Sequence, residues 1–116
     1  MKKGKDNLAY IKHIRDAINK IYKYSLQHTE KDFMQNEWDQ AAIMRYFEII
    51  GEAAKRIDPE FKKLNPDIEW RDIVDFRNFL IHDYIDVDLN IVWQTMVKDI
   101  PLLRKKINRL LKNKNK

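Results

Sequence analysis

Two glycines and three prolines are all that interrupt 116 residues. That is too few permissive backbone positions for the turns of an all-β fold or for a glycine-rich phosphate loop. Residues 6–26 place Leu8, Ile11, Ile14, Ile18, Ile21 and Tyr22 at spacings of three and four, the period of an amphipathic helix. Thr29 is set to cap a short turn carrying Phe33 and Met34, and Asn36 to cap a helix over 36–57. Gly51 lies inside that second helix beside Ala53 and Ala54. A glycine costs roughly 1 kcal/mol relative to alanine in such a place, so a neighbouring helix approaching closely is the better explanation for it. Asp58-Pro59 reads as an N-cap and first helical position for a short helix over Phe61 and Leu64, ended by Asn65-Pro66-Asp67. A further helix runs from Asp67 through Tyr84, and Asp88 caps a last one over 89–111, in which Pro101 is expected to make a kink. The fold expected is all-α, an antiparallel four-helix bundle with additional short helices.

Charge is unevenly distributed along this frame. Ten of the 23 basic residues lie at Lys2, Lys3, Lys5 and from Arg104 onward, whereas all 18 acidic residues fall between Asp6 and Asp99, leaving the middle of the chain at −5. The overall +5 therefore belongs to the ends, read as solvated helix faces and frayed termini that could also hold a nucleic acid electrostatically. One domain spans 1–116, with 112–116 expected as a disordered tail. No apolar run follows the first lysines, so neither a signal peptide nor a membrane span is expected. The absence of cysteine fits a reducing cytoplasm.

One residue is out of place. With about 100° per residue and Arg77 at zero, Ile73, Val74, Leu80, Ile81, Tyr84 and Ile85 all fall within roughly 80° of it, putting a guanidinium in the apolar stripe. An unpaired buried cation costs several kcal/mol, so Arg77 must meet a partner, a cleft or a ligand. A structural pair with Glu48 or Glu52 would satisfy it, and so would a site. His82 lies round the helix near Asn78 and Asp75, and Asn78, four residues earlier, could orient the imidazole. Phe79 projects on the side a simple bundle leaves wet, which points to a cover by a second copy of the chain, a homodimer. Tyr84 alone would read as a core tyrosine with its hydroxyl at a rim.

The segment Asp75-Phe76-Arg77-Asn78-Phe79-Leu80-Ile81-His82-Asp83-Tyr84 contains Arg77, four residues, His82, one residue and Tyr84. It resembles the R-x4-H-x-Y signature of HepT, the HEPN-domain toxin family of toxin–antitoxin pairs. Ile49-Ile50-Gly51-Glu52-Ala53-Ala54, Glu69-Trp70-Arg71, Ile91-Val92-Trp93 and Asp99-Ile100-Pro101-Leu102-Leu103 look like family landmarks in the expected order. Asn78, a polar residue directly after the arginine, also matches. The resemblance implies a homodimeric, metal-independent endoribonuclease with Arg77 and His82 at a cleft on the two-fold axis, cleaving transfer or messenger RNA and needing no cofactor. It also implies that Tyr84 is the target of a partner antitoxin, a minimal nucleotidyltransferase that transfers AMP from ATP and so blocks the cleft covalently.

The chemistry suits these residue types. Without metal, the 2′-OH attacks the adjacent phosphorus, so one group takes a proton and another gives one to the leaving 5′-oxygen. A histidine, with an unperturbed pKa near 6.5, can do either, and a dimer supplies two copies of His82. Arg77 would stabilise charge growing on the phosphoryl oxygens. Asp83, Asp86 and Asp88 are better used as loop and cap residues than as a metal site, since His13, His28 and His82 lack ligand spacing. The alternatives are a non-catalytic nucleotide- or substrate-binding partner of a nucleotidyltransferase, and a nucleic-acid-binding scaffold held by the basic tails.

Overall fold

The computed structural model describes residues 4–83 and 85–114. Six helices follow one another: α1 (Gly4–Gln27), α2 (Glu30–Gln35), α3 (Glu37–Arg56), α4 (Pro59–Leu64), α5 (Trp70–His82) and α6 (Leu89–Lys114). Four are long, and their short connections make sequential neighbours antiparallel. Thr29 closes a reciprocal capping box: its Oγ1 accepts from Asp32 N–H at 3.1 Å and Asp32 Oδ2 accepts from Thr29 N–H at 2.9 Å. Asn36 and Asp58 cap α3 and α4, with Pro59 in the first turn of α4. Asp88 Oδ1 accepts from Asn90 N–H at 2.9 Å at the head of α6, which then continues through Pro101.

Around the bundle the order is α5, α3, α1, α6, because α1 packs against both α3 and α6 while α5 packs against α3. Ile11, Ile14, Ile18 and Ile21 of α1, Ile43 and Ile50 of α3, Leu80 of α5 and Val92, Met96, Ile100 and Ile107 of α6 are all essentially inaccessible and make one continuous core. Phe33 of α2 plugs one end, its ring 5.8 Å from that of Trp93. Asn7, 3% exposed, accepts a hydrogen bond from Asp58 N–H at 3.1 Å and ties α1 to the head of α4. Arg104 lies over the Tyr22 ring at 4.6 Å and donates to Asn19 at 3.3 Å, so one of the basic residues near the C-terminal end is a fastener between α6 and α1.

Gly51 marks a close approach of two helices. A Cβ built there would overlap the Cβ of Arg77 and stand 2.7 Å from its Cγ and 3.3 Å from the Ile73 carbonyl oxygen. The neighbouring helix that the glycine implied is α5, and its stem at that level is Arg77 itself.

Two expectations about the Arg77 helix need correction. The helix carrying Arg77 begins at Trp70 and not at Asp67, because the chain after Pro66 first makes a turn: Ile68 N–H donates to Asn65 O, and the Trp70 indole donates to the same carbonyl at 3.0 Å. This turn buries Ile68 before the helix starts. The same helix ends at His82, closed by Asp83 N–H to Phe79 O and followed by an Asp86 N–H to Asp83 O turn. At the other end of the chain, α6 is helical through Lys114. Residues 115–116 lie outside the described residues. Of the three tryptophans, Trp70 and Trp93 are core, whereas Trp38 is 87% exposed.

Two stability measurements follow. Gly51→Ala, which in an ordinary helix would gain up to about 1 kcal/mol, is expected to lose about 1–3 kcal/mol here through overpacking, read by urea denaturation. Tyr24 donates from its hydroxyl to Asp39 Oδ2 at 2.8 Å, clasping α1 to α3. Burial first, then that bond and the charges of Asp39 and Asp32, push its phenol above the ordinary 10.0. The raised value makes this contribution complete below pH 10 and progressively lost above it. Wild-type stability should therefore fall more steeply above pH 10 than that of Tyr24→Phe.

Candidate functional site

Arg77 sits midway along α5 with its aliphatic stem pressed on Gly51 of α3. Its side chain keeps 24% exposure, so the guanidinium is neither sealed in the core nor free in solvent. One terminal nitrogen donates to Asn78 Oδ1 at 3.0 Å, and the other approaches Glu52 Oε1 at 4.0 Å. Nε is buried with no hydrogen-bond partner among the described residues. The apolar stripe expected around Arg77 is graded. Leu80 is fully buried and Ile73 and Val74 half-buried, whereas Ile81 is 41% and Ile85 92% exposed, the latter beyond the end of the helix. Arg77 thus stands where the core gives way to the surface.

The Glu52 carboxylate carries a second cation. Arg45, two turns earlier on α3, reaches Glu52 Oε1 and Glu48 Oε1 from one nitrogen, both at 3.3 Å. The residues brought together are therefore Arg45, Glu48 and Glu52 from α3 with Arg77 and Asn78 from α5. The expected structural pairing of Arg77 with Glu52 is present, but as a loose 4.0 Å contact to a 39%-exposed carboxylate, and Arg77 Nε keeps no partner among the described residues. Arg45 was not singled out beforehand. Its seven-residue spacing from Glu52 and three from Glu48 puts all three on one helical face, and that face was the signal available.

His82 ends α5 and is exposed. It is about 7.5 Å along the helix axis from Arg77 and about 140° round it. Asn78 lies between them in angle, at about 100°, and its carbonyl oxygen accepts from Arg77. Phe79 is half-buried against Phe76, ring centroids 5.9 Å apart. Tyr84 lies outside the described residues. Among the described residues no group of three or more His, Cys, Asp or Glu side chains gathers as metal ligands, and no helix is long and apolar enough to cross a membrane.

The opposite flank of α5 differs in sign. There α5 and α6 stand apart around a cavity of about 400 Å³ floored by Phe47, Ile73, Phe76 and Ile100 and rimmed by Glu69, Asp72 and Asp99 with Lys106. The Glu69 carboxyl is raised, first by a hydrogen bond with Asp72 and then by that residue's charge, against the opposing pull of Lys106. A rim of three carboxylates repels a phosphodiester. The arginines are on the other side.

Residues 14–110 match the family described as Ribonuclease HepT-like. The chain belongs to the HepT-like ribonuclease family. It is 40% identical over 103 residues to a protein of Thermococcus cleftensis named "Probable ribonuclease HepT", covering 89% of this chain and 94% of that one. A Methanocaldococcus jannaschii protein named "Gamma-glutamylcyclotransferase and putative RNase" is 38% identical over 115 residues, 96% of this chain but 52% of the relative, so this chain spans about half of it. A second protein of that organism, named "Putative RNase", is 29% identical over 103 residues, 89% of this chain and 94% of the relative. No solved structure gives a significant match. The HepT-like domain accounts for nearly the whole chain, and with it the all-α HEPN fold.

Proposed function

We propose that this HepT-like protein is a metal-independent endoribonuclease acting as a homodimer. The observation that carries the reading is a guanidinium held at the edge of the core by Gly51 and Asn78, with a buried Nε and an exposed edge, on the same helix as an exposed histidine. An arginine used only for stability would be expected to close a tight pair, and Arg77 does not. Family membership supports the ribonuclease assignment.

The reaction assigned to the site is transesterification. One His82 imidazole takes the proton of the 2′-OH as that oxygen bonds to phosphorus. The bond from phosphorus to the 5′-oxygen breaks, the protonated His82 of the second subunit gives that oxygen its proton, and a 2′,3′-cyclic phosphate remains. Arg77 meets the charge that builds on the non-bridging oxygens, with Asn78 keeping it in plane. The second subunit is supported by the apolar surface at this end of α5: Ile81 and Ile85 are 41% and 92% exposed, beside the half-buried Phe79.

The same reading makes the protein a cytoplasmic toxin restrained by a nucleotidyltransferase antitoxin that adds AMP to Tyr84. Tyr84 follows His82 by two residues. A phosphodiester on its hydroxyl would put a fixed anion and an adenosine within reach of the cleft and exclude RNA from it. The antitoxin and the modification rest on the family resemblance and on this proximity in sequence.

Incubating the protein with transfer or messenger RNA in EDTA should yield fragments with 2′,3′-cyclic phosphate ends. His82→Ala and Arg77→Ala should each lower the rate at least about 100-fold, the lower end of the usual contribution of a positioned acid–base or an oxyanion-type donor. Undiminished cleavage by both variants would remove these residues from the mechanism. Co-expression with the antitoxin should add the mass of AMP to the wild-type chain and not to Tyr84→Phe, and the substituted protein should stay toxic; mass added to both would place the modification elsewhere.

A further inference from the structure

We infer that Glu52, braced by Arg45, is the positioning residue of Arg77. The inference rests on the ribonuclease reading above and extends it from the helix that carries the motif to the face of α3 opposite.

The guanidinium has few restraints of its own. Its stem is pinned where Gly51 lets α5 approach, and beyond Cγ, among the described residues, two polar contacts define where the terminal nitrogens point: Asn78 Oδ1 at 3.0 Å on one side and Glu52 Oε1 at 4.0 Å on the other. Asn78 is the adjacent residue on the same helix, so it holds the fork relative to α5 alone. Glu52 is the contact that refers the fork to α3. A glutamate has three rotatable bonds and, at 39% exposure, would ordinarily wander. Arg45 limits this by binding the same oxygen at 3.3 Å while holding Glu48 at 3.3 Å. The result is a relay, Arg45 to Glu52 to Arg77 to Asn78, that spans two helices.

Such exposed pairs add little stability. Their effect lies in aim: a charge meant for a developing oxyanion loses its value when it is displaced by about 1 Å, which can cost up to about 100-fold in rate. The loose 4.0 Å contact suits this task, since it orients the cation without consuming the donors a phosphate would need.

The test uses the full chain. Glu52→Gln should lower kcat about tenfold, within the range that misplacement produces, with KM changed less than about twofold, the pattern of an interaction made in the transition state. Arg45→Ala should act in the same direction, and the double variant should be no slower than Glu52→Gln alone, because both break one relay. Arg45→Lys should keep most of the rate. Melting temperatures should stay close to wild type.

A second readout does not need activity: the ¹⁵N–¹H signal of the buried Arg77 Nε–H, assigned by its absence in Arg77→Lys, should move in Glu52→Gln and in Arg45→Ala. An unmoved signal with full kcat overturns the proposal, as do independent, multiplicative losses from the two substitutions. A rise in kcat in Glu52→Gln would show that the carboxylate restrains the cation rather than aims it. Loss of the acidic limb of the pH–kcat/KM profile in that variant would make Glu52 the proton acceptor, also contrary to positioning. If the wild type cleaves no RNA, the ribonuclease reading fails by itself, and the Nε–H signal still decides whether the relay holds Arg77.

Discussion

The contact between Gly51 and the stem of Arg77 governs much of this molecule. It lets α5 lie against α3 closely enough that a charged side chain serves as a packing element for its first carbons and as a chemical group at its tip. A larger residue at 51 would lift α5 and carry the guanidinium away from Glu52. One missing methyl group thus links the core to the site. The small neighbours Ala53 and Ala54, 6% and 0% exposed, continue that close-packed strip along α3.

From this contact follows a division of the protein surface by charge. The flank of α5 that bears Asn78 and His82 gathers arginines tempered by Glu48 and Glu52. The flank facing α6 gathers Glu69, Asp72 and Asp99 around an apolar cavity. Net charge along the chain does not describe this arrangement, since the basic excess lies at the ends while every charged group named on the two flanks except Lys106 comes from its acidic middle. The sign of each side of a single helix is set by where individual groups project, and part of the terminal basic excess is already engaged in holding α6 to α1 through Arg104.

The helical class, the caps at Thr29, Asn36, Asp58 and Asp88, and the meaning of Gly51 were legible because each depends on local chemistry: a period, a side-chain acceptor, an absent Cβ. The ends of α5 were not. Helical periodicity continues from Ile68 to Ile85, yet a core position for Ile68 and the Asn65 carbonyl's two donors delay its start, and the turn from Asp83 to Asp86 stops it. Projection on a helical wheel assumes a continuous helix and therefore brings Ile85 onto a stripe that ends before it. The hydrogen bond from Arg77 to Asn78 is not legible on a wheel either, since the wheel ranks neighbours by angle and does not see which acceptor a long flexible arginine will reach.

What the sequence alone determined was the fold class, the family, and the identities of Arg77, Asn78 and His82 as unusual residues, because amphipathic period and motif spacing are one-dimensional properties. What only the tertiary structure decided was how deep the guanidinium lies and what surrounds it. Arg45 and Glu52 stand 32 and 25 positions before Arg77, and no spacing rule joins them. They meet because α3 and α5 pack antiparallel at a distance set by a glycine, and side chains on facing helices become partners through the packing geometry rather than through their order in the chain.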